Sequence, residues 1–268
     1  MKKSLKLFII VAMAASLLQG CSVVPLTGRK QLSLLPESEM ISMSLTNYGD
    51  FLKQNTLSTD KANSAMVREV GAKISAAVIK YFTDNNLADR LQGYQWEFNL
   101  VKNDTTINAW CMPGGKVVVY SGLLPVTKDK NGLAVVMSHE IAHAVARHGN
   151  ERMSQELLTQ YGSLALNEAL KSKPEQTKNI FNMAYGVGAQ YAVLLPYSRE
   201  HELEADKLGL IFMAMAGFDP QTAVPFWERM AKSGGSKPPE FLSTHPSDQT
   251  RIDKIKAALP EALKYYRK

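Results

Sequence analysis

The chain has 268 residues, of which 45% are hydrophobic and 21% are charged, and its formal net charge is +6. These fractions are ordinary for a globular protein and exclude an intrinsically disordered chain. The positive charges are scattered, without the dense basic stripe and the aromatic ladder that are typical of nucleic-acid binding. We therefore expect a folded protein with a real hydrophobic core and no nucleic acid among its partners.

The first residues, 1–20, are predicted to be a lipoprotein signal peptide. A positive start precedes an apolar run from Leu7 to Leu18, which is too short to span a membrane. The end of this run and Cys21 resemble a bacterial lipobox, in which the cysteine becomes the lipidated N-terminus that holds the protein on a membrane. This resemblance implies a bacterial cell-envelope location, on the outer membrane and facing the periplasm. A secreted protein with an incidental cysteine is the alternative.

Residues 21–36 are predicted to be a tether between the lipid and one domain, residues 37–268. Turn-forming residues at Pro25 and Gly28 support this interpretation. Once Cys21 carries a lipid, Cys111 has no partner for a disulfide. We therefore expect Cys111 to be a small buried core residue rather than a nucleophile.

Hydrophobic periodicity predicts a mainly α-helical fold with a small β-sheet. Pro36 can open one helix, and apolar residues at helical spacing predict a second helix from Thr59 to Phe82. The pattern then changes to that of strands, which are predicted at Tyr94–Leu100, Thr105–Met112 and Lys116–Tyr120. The last two strands are expected to form a hairpin or a bent edge.

An exposed edge of this sheet can bind an extended polypeptide as an additional strand, through backbone hydrogen bonds that ignore sequence. Asn108 and Ala109 are the candidate substrate-binding residues, since they would lie along the cleft. A sheet that only supports the neighbouring helix is equally compatible with the sequence.

The segment that carries chemistry contains His139, Glu140 and His143. In a helix, residues four apart project from one face, so both imidazoles can reach one metal ion. Glu140 is then placed to accept a proton from the attacking water rather than to bind the metal. Asn131-Gly132 is the predicted start of this helix, and Gly149 is its predicted left-handed stop.

A third ligand is expected from a later helix that begins at Ser198. Glu202 and Asp206 are four apart and share a face, and a site with two histidines and one glutamate leaves a fourth position open for water. Asp206 then suits a supporting role, accepting the free ring N–H of one histidine. His201 is the rival to Glu202, and Glu204 is expected to point elsewhere on the helix.

Other ligand arrangements fit less well. The position of the third histidine in the long metzincin motif is occupied by Gly149. His148 is expected to lie off the metal face and to cap the end of its helix.

The two segments together, His139-Glu140-x-x-His143 and Ser198-Arg199-x-x-Glu202-x-x-Ala205-Asp206, resemble the M48 family of zinc metallopeptidases across residues 24–256. The Oma1-like, lipid-anchored periplasmic branch fits better than branches with several membrane helices. This resemblance implies a gluzincin-type zincin fold, with the metal helix followed by a helix that carries Glu202 and Asp206. It also implies one zinc ion (Zn2+) per chain.

A later segment, Ser243-Thr244-His245-Pro246-Ser247 followed by Arg251, looks like a further motif of the same family. The resemblance implies that His245 faces the cleft, where it would donate a hydrogen bond to the oxyanion at the scissile carbonyl. From residue chemistry alone, His245 is a turn residue before a helix capped by Ser247.

The sequence thus predicts a zinc-dependent endopeptidase that hydrolyses unfolded or misassembled cell-envelope polypeptides in protein quality control. Its substrate class rests on the family and the predicted compartment. One alternative is a non-catalytic envelope lipoprotein that holds client proteins or assembly machinery. A strict amino- or carboxypeptidase is a further alternative within the enzymes. The sequence makes no prediction of the oligomeric state.

Overall fold

The computed structural model describes residues 21–24, 27–157, 177, 198–233, 241–242, 245 and 249–267, so the predicted signal peptide lies outside it. Helices dominate, which confirms the predicted fold class. Residues 148–157 are helical and are called α5. The other elements in chain order are β1 (Cys21–Val23), β2 (Lys30–Leu32), α1 (Glu37–Gln54), α2 (Lys61–Asp84), β3 (Glu97–Val101), β4 (Ala109–Met112), β5 (Lys116–Tyr120), α3 (Leu124–Thr127), α4 (Lys130–Val145), α6 (Arg199–Met215), α7 (Ala223–Ser233) and α8 (Gln249–Ala262).

A three-stranded sheet has the order β3-β5-β4, with β5 in the centre. The predicted hairpin is confirmed, because β4 and β5 are antiparallel and Met112 lies opposite Lys116. Gly114 and Gly115, in the turn between them, both have a φ near +80°, a conformation that glycine adopts without strain. β3 instead pairs parallel with β5. This topology leaves β4 at an edge of the sheet.

The second predicted strand is shorter than expected, since it begins at Ala109 rather than Thr105. Asn103 accounts for the difference, because its side-chain oxygen accepts hydrogen bonds from the backbone N–H groups of Thr105 and Thr106. Such a local side-chain bond favours a turn over a strand. Cys111 lies within β4 and is buried, as predicted.

The segment predicted as a tether packs against the domain. β1 and β2 form an antiparallel pair, and Val24 between them is fully buried. Leu34 N–H then donates a hydrogen bond of 2.9 Å to the hydroxyl of Ser154 in α5. The N-terminal strands therefore contribute contacts to the domain that follows them.

Helix α4 lies in the middle of the core and packs against α2, α6 and β4. Its residues are buried from Gly132 to Val145, so the helix is enclosed on every side. A helix in this position must satisfy its polar side chains with partners inside the protein. Within the described ranges, no helix is both long enough and apolar enough to cross a membrane.

Candidate metal centre

Helix α4 begins one residue after Asp129, whose carboxylate accepts a hydrogen bond of 2.9 Å from Gly132 N–H. The predicted start at Asn131-Gly132 is therefore slightly late, since the cap is Asp129. The predicted stop at Gly149 is wrong, because the chain leaves the helix at Arg147, which has a φ of +61°. Residues 148–150 already belong to α5.

His139 and His143 project from one face of α4 as predicted. Their Nε2 atoms lie 3.0 Å apart, and both side chains are buried. Two ring nitrogens at this distance repel each other unless a proton or a cation lies between them. Burial lowers the pKa of His143 well below its ordinary value, which favours the neutral ring that binds metals.

Helix α6 brings Glu202 to this pair. Its Oε1 lies 3.3 Å from His143 Nε2, and its Oε2 lies 3.4 Å from His139 Nε2. A close approach of the two helices makes this geometry possible, because a Cβ on Gly209 would lie only 3.1 Å from the backbone nitrogen of His139. Ser198 caps the start of α6 by accepting a hydrogen bond from the backbone N–H of His201.

His245 joins the same group. Its Nδ1 lies 3.2 Å from His139 Nε2 and 3.0 Å from Glu202 Oε1. One potential ligand atom from each of His139, His143, Glu202 and His245 falls within 4.8 Å of the others, and all four residues are buried. The structure therefore brings together the three predicted ligands and adds a fourth donor.

The donor atoms fit a zinc ion. Ligand atoms arranged tetrahedrally at about 2.0–2.1 Å from zinc lie roughly 3.3 Å from one another. His139 Nε2 lies 3.0 to 3.4 Å from His143 Nε2, His245 Nδ1 and Glu202 Oε2, and Glu202 Oε1 lies 3.0 Å from His245 Nδ1 and 3.3 Å from His143 Nε2. Imidazole nitrogens and a carboxylate oxygen are also the donor types that zinc prefers. A divalent cation would compensate the buried carboxylate as well.

Glu140 lies beside the group and is buried. Its Oε1 is 3.4 Å from His245 Nε2, but Glu140 is not one of the four grouped donors. Burial raises the pKa of Glu140 above the ordinary value of a glutamate. A carboxylate whose pKa is moved toward neutrality is suited to accept a proton and to donate it again.

Asp206 occupies the predicted supporting position. Its Oδ1 lies 2.9 Å from His139 Nδ1, the ring nitrogen that faces away from the ligand group. Arg251 grips the same carboxylate with two hydrogen bonds, of 2.7 and 2.8 Å, and reaches Glu202 Oε2 at 2.8 Å. The guanidinium also lies 3.6 Å from the centre of the Trp227 ring. One buried arginine therefore holds Glu202 and Asp206 in place.

This geometry can be compared with known proteins. The model of peptidase family M48 matches residues 71–259, which is more than half of the chain. The chain belongs to peptidase family M48. The family membership expected from the two motifs is thereby confirmed.

This M48 chain has relatives in several organisms. It is 40% identical over 170 residues to mitochondrial metalloendopeptidase OMA1 of Schizosaccharomyces pombe, covering 63% of this chain and 48% of the relative. It is 31% identical over 251 residues to the human mitochondrial metalloendopeptidase OMA1, covering 90% and 46%. It is 31% identical over 163 residues to the beta-barrel assembly-enhancing protease of Escherichia coli, covering 59% and 33%. In these three comparisons the chain spans less than half of the relative's length.

The comparisons contradict one expectation from the sequence. The relatives from Schizosaccharomyces pombe and Homo sapiens are mitochondrial by name. The predicted location on a bacterial cell envelope is therefore wrong.

The two candidate substrate-binding residues of this M48 domain lie at the edge strand. Asn108 is buried and its side-chain oxygen accepts a hydrogen bond of 2.8 Å from Ala109 N–H, while its backbone oxygen accepts one from Tyr120. Phe241 N–H donates to the backbone oxygen of Ile107 at 3.3 Å, so the segment leading to His245 contacts this edge. The role of Asn108 and Ala109 in substrate binding stays a prediction.

Arg251 offers a test of the network that holds the acidic residues. We expect Arg251→Met to lower the free energy of unfolding by about 3–5 kcal/mol, because it leaves Asp206 and Glu202 buried without their cation. Urea unfolding in the presence of a chelator measures this directly. The control is Lys256→Met, which removes the exposed ion pair between Lys256 Nζ and Glu228 Oε1, 3.7 Å apart. Its loss should lower the free energy of unfolding by less than about 1 kcal/mol. Equal losses in the two variants would contradict the assignment.

His201, the rival ligand, turns away from the metal group. Its Nε2 lies 2.9 Å from Glu151 Oε2 in α5. Arg29, in the connection between β1 and β2, donates to both oxygens of Glu151, at 2.8 and 3.0 Å, and to Glu204 Oε2 at 2.8 Å. Thr27 also contacts Glu204. A buried polar cluster therefore lies between the N-terminal strands, α5 and α6.

Sequence reasoning missed the position of His148, which also belongs to this cluster. It was expected to cap a helix end, but its Nδ1 lies 2.8 Å from His143 Nδ1 and its Nε2 lies 2.8 Å from Glu204 Oε2. The left-handed turn at Arg147 explains the difference, because it redirects the chain before His148. Glu204 was expected to point elsewhere on its helix, and it does not join the metal group. It contacts His148, the residue that in turn contacts the predicted ligand His143.

The cluster makes stability depend on pH. Burial acts to raise the pKa of Glu151, but hydrogen bonds from His201 and Arg29 lower it from 4.5 to about 2. A carboxyl with a depressed folded-state pKa stabilises the fold above the unfolded pKa, and this stabilisation is lost as the pH falls toward the folded pKa. We therefore expect wild type to lose more stability than Glu151→Gln between about pH 5 and about pH 3. Urea midpoints in the presence of a chelator measure both losses, and parallel losses would refute the expectation.

Proposed function

We propose that this chain is a zinc-dependent endopeptidase that holds one zinc ion through His139, His143 and Glu202. The observation that carries the proposal is the convergence of three buried donors with zinc-like separations, beside a buried Glu140. The family membership supports the same reaction class. Neither support names a substrate.

The chemistry follows from the donor set and from Glu140. When bound, zinc supplies a Lewis acid that activates water and polarises the peptide carbonyl. Glu140 accepts the proton of the attacking water and delivers it to the leaving amine. Asp206 accepts a hydrogen bond from His139 Nδ1, which leaves Nε2 free to bind the metal. Each residue thus has a role that its position allows.

His245 would have to stay off the metal for a zinc ion held by His139, His143 and Glu202 to keep an open position. A hydrolytic zinc site keeps one coordination position open, whereas a fourth protein donor closes it. In the structure His245 Nδ1 lies 3.2 Å from His139 Nε2 and 3.0 Å from Glu202 Oε1, where it could serve as a fourth donor. With its ring withdrawn, His245 would leave room for water and could donate a hydrogen bond to the oxyanion, the role expected from the sequence.

The proposed substrates are unfolded or misassembled polypeptides, in a protein quality control role. An extended chain added along β4, near Asn108 and Ala109, would be held by its backbone rather than by its side chains. Such binding accepts many sequences but requires an unfolded segment. Membrane attachment through a lipid on Cys21 is a separate part of the proposal, tested by the mass of the N-terminal peptide.

One observation favours a second function. With His245 in place the group has four protein donors, as in structural zinc sites, and this arrangement suits a non-catalytic module that binds client proteins. An internally quenched peptide separates the possibilities. Zinc-dependent cleavage at internal bonds, shown by product masses, supports the endopeptidase. Removal of terminal residues alone indicates an exopeptidase, and zinc binding without cleavage indicates the non-catalytic module.

A further inference from the structure

We propose that His148 is a positioning residue that sets the tautomer of the metal ligand His143, with Glu204 as its anchor. The three side chains form a buried line in which His143 Nδ1 contacts His148 Nδ1 at 2.8 Å and His148 Nε2 contacts Glu204 Oε2 at 2.8 Å. Zinc binding by this chain is part of the proposed function, so the inference rests on it.

The donor and acceptor roles along this line follow from the carboxylate. Glu204 accepts, so His148 Nε2 carries the proton that it donates. In a neutral ring the other nitrogen is then an acceptor, so His148 Nδ1 accepts from His143 Nδ1. His143 therefore carries its proton on Nδ1 and presents a lone pair on Nε2, the atom that faces the metal group. The opposite tautomer would place a proton where the metal must bind.

The carboxylate of Glu204 is itself held by hydrogen bonds from Thr27 and Arg29, between β1 and β2. Arg29 donates to Glu204 Oε2 at 2.8 Å and forms a two-pronged pair with Glu151. Thr27 donates to the other oxygen of Glu204, Oε1, so both oxygens of this buried carboxylate accept hydrogen bonds from neighbouring side chains. Glu204 is therefore held as an acceptor for the Nε2–H of His148.

The two metal-binding histidines of α4 are then supported in parallel ways. His139 contacts Asp206 directly, and Asp206 is paired with Arg251. His143 contacts the ring of His148, which contacts Glu204, and Glu204 is paired with Arg29. Partners of this kind orient ligand rings, and their loss typically costs about 10–100-fold in metal affinity.

Two substitutions separate orientation from packing. In His148→Asn the side-chain oxygen can take the place of Nδ1 and still accept from His143. In His148→Gln the amide nitrogen can take the place of Nε2 and still donate to Glu204, but the acceptor facing His143 is removed. Zinc affinity, measured by competition with a chromogenic chelator, should fall about 10–100-fold in His148→Gln. It should stay within about three-fold of wild type in His148→Asn.

A second readout reports the tautomer itself. Long-range proton–nitrogen NMR spectra of the metal-free protein should show His143 protonated on Nδ1 in wild type and in His148→Asn. The Nε2-protonated form should appear in His148→Gln. Urea unfolding of the metal-free variants shows whether their stabilities differ.

The outcomes distinguish this inference from the proposed function. If wild type binds no zinc, the proposed function fails and the inference fails with it. If wild type binds zinc and both variants lose affinity equally, or neither does, only the inference is overturned. Should His148→Gln not fold, Glu204→Gln replaces it, because the neutral amide weakens the bond that fixes His148. A several-fold loss of zinc affinity in Glu204→Gln supports the positioning role of His148, and an unchanged affinity overturns it.

Discussion

Replacing Glu140 with glutamine is expected to slow peptide hydrolysis by about 10²–10⁴-fold while leaving the zinc content unchanged. Glutamine has nearly the same shape but cannot accept the proton of the attacking water. Glu140 is not among the four grouped donors, so its loss should not release the metal. Cleavage of an internally quenched peptide and metal analysis of the same preparation measure the two quantities together.

Glu200→Gln is the matched control for this experiment. It makes the same chemical change at an exposed position in the first turn of α6, where no role in hydrolysis is expected. Hydrolysis at the wild-type rate by zinc-loaded Glu140→Gln would remove Glu140 from the mechanism. Loss of zinc together with activity would instead make Glu140 a structural part of the site.

The metal group could be predicted because its information is local in the sequence. The i, i+4 spacing of His139 and His143 fixes their common face once the segment is helical, and Glu202 with Asp206 repeats this spacing. The need of two buried imidazoles for a third ligand then selects the second segment. The same reasoning gave Asp206 a supporting role for one of the two histidines, and the structure shows that this histidine is His139.

The chain of contacts from His143 through His148 and Glu204 to Arg29 could not be predicted in this way. His148 was assigned to the end of a continuing helix, whereas one left-handed residue, Arg147, redirects the chain toward α6. Arg29 lies more than a hundred residues from Glu151 and Glu204. No spacing rule links such residues, and their contacts depend on how the N-terminal strands fold back.

The sheet shows the same division. The hairpin of β4 and β5 is a local feature, marked by the Gly114-Gly115 turn, and it was predicted. The parallel pairing of β3 with β5 joins strands that are separated by β4 in the chain. Hydrophobic alternation identifies each strand but carries no information about this order. The position of β4 at an edge of the sheet is therefore known only from the folded structure.

Replacing Glu202 with glutamine is expected to lower zinc affinity by much more than about 100-fold. Loss of a residue that only supports a ligand costs at most roughly 100-fold. The carboxylate supplies both negative charge and a strong donor, and an amide oxygen supplies neither to the same extent. Arg251 retains its two hydrogen bonds to Asp206, so the helix packing should survive. Hydrolysis should be lost because the metal is lost, and competition with a chelator measures the affinity.

His201→Gln tests the rival ligand on the same helix. Since His201 faces Glu151 rather than the metal group, its replacement should change zinc affinity by no more than about ten-fold. Urea unfolding of both metal-free variants excludes a general loss of structure as the cause of either result. If Glu202→Gln keeps its zinc and His201→Gln releases it, the third ligand is His201. The geometry argues against that result, because the Oε atoms of Glu202 lie within 3.4 Å of both histidines of α4.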